Sequence, residues 1–237
     1  MGRCKSSKRI TTHRKSKNSI QGIEKSNKTS NTNDKDVKGV SDIIDHNLDV
    51  IFVGVVPSCK NAARKEHYYC SSSNQFYKLL HESGFTERKL KPEEDGSLLN
   101  YKIGLMNIRT KFTQKNLIDP KEEIREEIET FIEKIRKYKP KFICFNGKDG
   151  FATFMSIKND VAINKKYEFG FKNDDKIDWI DENGFTKIYL LPSTGGLNSS
   201  FRYDEKKEFA KELKSLIKSD NDDVDDADDV KIIDNDE

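Results

Sequence analysis

A chain of 237 residues can bury one α/β core of useful size, or two small ones at most. Hydrophobic residues make up 34% and charged residues 35%, more polar than a compact globule of this length, so part of the chain is expected to lie outside any core. No apolar run approaches the roughly 20 residues of a membrane helix, and no apolar stretch follows the basic start, which argues against a membrane protein and a secreted disulfide scaffold.

The net charge of +2 conceals an asymmetry. Residues 1–45 carry eleven Lys and Arg against five acidic residues, a net of +6; residues 220–237 carry −9, which leaves +5 on the middle. The reading is a disordered basic arm over 1–45, a folded domain over 46–219 and a disordered acidic tail over 220–237, because polar stretches with few large apolar residues cannot offset their ordering entropy. The arm suits phosphate tracking, nuclear import or plain solubility. The tail suits disorder, an unknown partner or an electrostatic mimic of DNA. Cys4, Cys59, Cys70 and Cys144 form no Cys-x-x-Cys pair, and the four histidines show no ligand spacing, so no metal or other cofactor is expected. Scattered thiols fit a reducing, intracellular compartment, the nucleus if the chain is eukaryotic.

In chain order, Asp49–Gly54 reads as a buried strand ending in the turn signal Val55-Val56-Pro57-Ser58. Asn74–Gly84 places Phe76, Leu79 and Leu80 on one helical face, with Gly84 at the terminating position. Ile103–Ile108 is a second strand. Pro120 opens a charged helix to Lys139 with the stripe Ile124, Ile128, Phe131, Ile132 and Ile135. Lys141–Phe145 is a third strand, followed by Asn146-Gly147-Lys148 and a helix around Phe151–Ser156; Lys187–Leu191 is the last strand and Asp204–Lys218 the last helix. This alternation predicts a three-layer α/β/α fold around a mainly parallel sheet of four strands. Ligand sites in such sheets lie beyond the carboxyl ends of the strands. That rule selects Val55–Ser58, Asn107–Thr113, Asn146–Lys148 and Pro192–Asn198.

At these segments the sequence resembles the uracil-DNA glycosylase superfamily, and within it the mismatch-specific uracil and thymine branch. Gly54-Val-Val-Pro-Ser58 stands where that branch has Gly-x-Asn-Pro-Gly/Ser. His67-Tyr-Tyr69, Asn74-Gln-Phe-Tyr-Lys78, Lys102-Ile-Gly-Leu-Met-Asn107 with Thr113, Phe145-Asn-Gly-Lys148 and Leu191-Pro-Ser-Thr-Gly-Gly-Leu-Asn198 follow in the family's order, from about Asp49 to Ile217. The resemblance implies the family's fold and a monomeric repair enzyme without a cofactor. Its partner is double-stranded DNA, from which it extrudes a mismatched or deaminated base, such as uracil or thymine opposite guanine, and hydrolyses the N-glycosidic bond. Extrusion costs a few kcal/mol and least at a mismatch.

The residue types suit that chemistry. Leu197 is the candidate wedge for the vacated space, with Gly195 and Gly196 allowing close backbone approach. Pro192, Ser193, Thr194, Asn198 and Lys148 are candidates for DNA contact through hydroxyl, amide or ammonium donors. Tyr69 is the candidate stacking face and Tyr68 or His67 a polar contact in a base pocket with Val55 and Ser58, against the alternative that the rings pack the core. Asn74 and Asn107 each offer an acceptor and two donors to a pyrimidine edge, although Asn74 at a helix start equally suits a cap. Val56 replaces the family's water-holding asparagine, and valine cannot orient water. Water activation then falls to Asn107 or Asn74 with Thr113, or cleavage is weakened, or the chain binds lesions without cutting.

Overall fold

The computed structural model describes residues 40–55, 67–109, 121–164, 166–181, 183–196 and 200–229. All of them belong to one compact unit, residues 35–237. The elements are β1 (Val50–Gly54), α1 (Phe76–Glu82), a 3₁₀ helix (Pro92–Tyr101), β2 (Ile103–Asn107), α2 (Lys121–Tyr138), β3 (Phe142–Asn146), α3 (Lys148–Lys158), β4 (Gly170–Asp178), β5 (Phe185–Leu191) and α4 (Tyr203–Asp229). Among the described residues, no helix is long and apolar enough to cross a membrane.

The sheet order is β2-β1-β3-β5-β4, with every pairing parallel except β4 against β5. Alternation along β1 builds the two cores. Val50 and Phe52 join Phe76, Leu79, Leu213 and Ile217 beneath α1 and α4, whereas Ile51 and Val53 join Ile128, Phe131, Phe151 and Phe154 beneath α2 and α3. Because both faces are covered, all five β1 residues are buried, which is why the strand reads as an unbroken apolar run.

Two features extend the sequence reading. The sheet has a fifth strand, β4, whose sequence GFKNDDKID lacks an apolar run because it is an edge and carries its charges outward. A register shift between Lys172 and Lys176 interrupts its ladder. The ends of the fold also reach past the expected boundaries. Ile43 bridges to Leu105 of β2, and Asp42 pairs with Lys134 at 2.6 Å. The last helix, expected to stop at Lys218, continues to Asp229. Its Asp220 bonds Lys187 at the start of β5, and its Asn221 bonds Lys141 beside the start of β3. Two lysines thus anchor the first residues of the segment expected to be an acidic tail. The proline expected to open α2, Pro120, lies outside the described residues.

Candidate active site at the carboxyl ends of the strands

The carboxyl ends of β1, β3 and β5 surround a cleft of about 440 Å³ lined by Val55, Asn146, Gly147, Lys148, Ser193, Phe169 and Phe201, among others. Beside it the end of β2 supplies Asn107, in register with Gly54 of β1. Asn107 is buried, and its Oδ1 lies against the α-carbon of Gly54 in space that a methyl group would occupy. The same point is 3.7 Å from the Tyr69 hydroxyl oxygen. Gly54 is therefore glycine for lack of room, and Asn107, Gly54 and Tyr69 meet at one corner.

Tyr69 is held there under strain. Its φ of +52° is unusual for a residue with a side chain, and such outliers collect at functional sites. Two long-range bonds enforce the turn. Tyr68 donates its N–H to Asp95 Oδ2 at 3.1 Å, and the Tyr77 hydroxyl donates to the Tyr68 carbonyl at 3.0 Å. The same Asp95 faces His67 Nδ1 at 3.2 Å. The Tyr69 ring lies 4.0 Å, centroid to centroid, from Phe76, tilted by 33°. Its hydroxyl is buried without a hydrogen-bond partner among the described residues. Burial pushes the phenol well above its ordinary pKa, with the neighbouring Asn146 carboxamide a smaller opposing influence.

That carboxamide is committed elsewhere. Asn146 Nδ2 donates to Thr194 Oγ1 at 2.8 Å, and Asn146 Oδ1 accepts the Thr194 N–H at 2.9 Å. Gln75 at the start of α1 donates its N–H to the Thr194 carbonyl at 3.0 Å. Lys206, only 2% exposed, donates to Gln75 Oε1 at 3.2 Å. Burial lowers the Lys206 ammonium below the usual lysine range. The loop after β5 is thus clamped to the end of β3 and the start of α1. Gly196 completes the clamp, since any side chain there would strike the Ser73 backbone.

These contacts redistribute the roles expected from sequence. Thr194 is fully buried with its N–H and hydroxyl oxygen turned to Asn146, so it fastens the loop, whereas Ser193 is half-exposed and lines the cleft. Pro192 is buried, Gly195 half-buried and Gly196 exposed. Tyr68, 3% exposed, packs in the core beneath α1. His67 is turned to Asp95. Asn74 Oδ1 accepts the Phe76 N–H at 3.0 Å in an Asx-type turn one residue before the N-cap, which is Gln75, so Asn74 is turned to the backbone without being the cap itself. Lys148 lines the cleft with its ammonium 4.5 Å from the Phe169 ring centre. Val56, Ser58, Thr113, Leu197 and Asn198 lie outside the described residues.

Four participants were missed. Asp95, Phe169 and Phe201 act across long sequence separations and leave no local signal. Lys206 did leave one: it occupies an apolar-stripe position with Ala210, Leu213 and Ile217, where a lysine is out of place.

The family model of the Uracil DNA glycosylase superfamily matches residues 41–215. The chain belongs to the uracil DNA glycosylase superfamily. Membership supports a role as a DNA glycosylase, an enzyme acting on DNA. Among solved structures, the chain is similar to the solution NMR structure of a candidate uracil DNA glycosylase from Methanosarcina acetivorans. The two share 20% identity and a TM-score of 0.48, over 75% of this chain and 98% of the other.

Proposed function

We propose that this superfamily member acts as a monomer on duplex DNA, turns out uracil or thymine paired with guanine, and hydrolyses the N-glycosidic bond without cutting the strand. The observation that supports this reading most is the meeting of Asn107, Gly54 and Tyr69 beside the strand-end cleft. A displaced pyrimidine in that corner stacks on Tyr69, whose other neighbour is Phe76, and pairs its edge with the Asn107 carboxamide. As the bond from C1′ breaks, electrons flow to the base, and fixed amide donors stabilise the resulting anion. Water adds to C1′ of the oxocarbenium-like sugar and loses a proton, leaving an abasic site. Ser193 and Lys148 hold flanking phosphates, and Leu197 fills the gap in the stack.

Val56 favours a second reading, a lesion binder with little or no cleavage. A missing polar group of this kind costs about 10²- to 10⁴-fold in rate, or roughly 3–5 kcal/mol of barrier. The deciding experiment incubates duplexes carrying G·U, G·T and hypoxanthine mismatches with excess protein, then treats them with alkali. Strand breaks at the lesion, lost in Asn107→Ala, are the expected result. Tight lesion binding with no breaks supports the second reading, and restoration of cleavage by Val56→Asn then identifies a degenerate site otherwise built for the reaction. Neither breaks nor lesion-dependent binding refutes both.

A further inference from the structure

Lysine is rarely buried unless its ammonium has a task. Lys206 is 2% exposed and shares the face of α4 that continues in Ala210, Leu213 and Ile217, all buried core residues. A methionine would fill that position without taking a charge out of water. The ammonium donates to Gln75 Oε1 at 3.2 Å. Gln75 is the N-cap of α1, yet its side chain makes no capping bond to its own helix. It accepts from Lys206 instead, while its N–H is held by the Thr194 carbonyl at 3.0 Å. Thr194 is fastened in turn to Asn146 at the end of β3. Gly196 leans on the same segment at a second point, against the Ser73 backbone. A path of bonds thus runs from α4 through the residues before α1 to the loop that supplies Ser193 to the cleft. Packing of α1 on α4 has other supports. Phe76, Leu79 and Leu80 share one core with Ala210 and Leu213, Lys207 pairs with Glu82 at 3.7 Å, and Lys78 Nζ lies 4.0 Å from the Tyr203 ring centre.

We infer that Lys206 is a positioning residue: through Gln75 it fixes where residues 193–196 stand over the cleft, and so sets the preference for a base in duplex DNA over the same base in a single strand. A base that leaves a duplex vacates a gap in the stack that the loop must fill, whereas a base in a single strand has no paired stack to leave. Leu197, proposed to fill that gap, follows Gly196 directly in the chain. A loop displaced by on the order of 1 Å therefore handicaps the duplex and spares the single strand.

The inference rests on the proposed base release from DNA, so one readout is kept independent of it. Amide hydrogen exchange of the free protein follows peptides covering 73–79 and 190–196. Lys206→Met is expected to speed exchange in both by about five- to tenfold, Gln75→Met likewise, and the double variant no further, because each removes the same bond. Single-turnover base release at saturating protein is then compared on a G·U duplex and on its uracil strand alone. Lys206→Met is expected to slow the duplex about 10- to 100-fold and the single strand less than about twofold. Its melting temperature is no lower than wild type, since a buried charge is gone. Gln75→Glu keeps the acceptor and keeps the wild-type ratio of the two rates. A role in stability alone predicts earlier melting with equal slowing on both substrates; that result, or unchanged exchange in both peptides, overturns the inference. Absence of base release from every oligonucleotide refutes the glycosylase reading alone. The inference is then decided by the exchange rates and by affinity for a tetrahydrofuran abasic analogue, which falls at least about tenfold in duplex and holds in the single strand if Lys206 positions the loop.

Discussion

Gly54→Ala tests the corner where Asn107 and Tyr69, the proposed base-binding groups, meet. The added methyl lies 3.6 Å from Asn107 Cγ and 3.7 Å from the Tyr69 hydroxyl, and it overlaps Asn107 Oδ1. The obstacle is the free end of a side chain and not backbone, so the carboxamide swings aside by on the order of 1 Å. A displacement of that size costs about 10²-fold in rate, equivalent to about 2.7 kcal/mol of barrier. Stability moves little. Gly54 is not among the glycines with positive φ, and replacing such a glycine by alanine gains about 0.4–1 kcal/mol from the unfolded state. An off-rotamer asparagine gives back about 0.5–1.5 kcal/mol. The expected result is a melting temperature within a few degrees of wild type and single-turnover base release slowed about a hundredfold. Asn107→Ala added to Gly54→Ala causes little further loss, because both remove the same interaction. Full activity in Gly54→Ala, or losses that simply multiply in the double variant, refutes the reasoning.

Asn146→Ala removes both bonds to Thr194 and strands a buried N–H, costing about 1–3 kcal/mol in chemical unfolding; DNA affinity falls as the loop loosens, while Asn146→Asp keeps the acceptor and recovers part of both. Asp95→Ala deprives the Tyr68 N–H and His67 of their shared acceptor. It is expected to destabilise by about 2–3 kcal/mol and to release Tyr69 from its positive φ, seen as a drop in lesion binding beyond that of Asp95→Asn. In alkali, burial raises the phenols of Tyr68, Tyr69, Tyr77 and Tyr189 above the ordinary value of 10.0. Below pH 10 both states keep these protons and nothing changes; above it only the unfolded chain releases them, so stability falls by up to about 1.4 kcal/mol per pH unit per phenol. Absorbance at 295 nm should then rise together with loss of circular dichroism, and early tyrosine ionisation in the folded protein would contradict the burial.

The α/β alternation and four of the five strands were legible in the sequence because a parallel strand covered on both faces must be apolar at every position, as in Val50–Gly54 and Phe142–Asn146. The rule that sites lie past the strand ends pointed to Asn107 and the loop after Leu191, since it depends on chain direction alone. The edge strand β4 escaped notice because one covered side leaves its residues free to be charged. Roles at the site depended on contacts that sequence does not encode locally. Thr194 reads as a surface hydroxyl until Asn146, 48 residues earlier, takes both its polar groups. Asp95 reads as one more acidic residue until the turn at Tyr68–Tyr69 is seen hanging on it, 27 residues away. Periodicity reports which face of an element is buried, and therefore the order of layers. Which polar atom satisfies which other is settled only when distant segments pack, because a buried donor takes whichever acceptor the tertiary fold brings within about 3 Å.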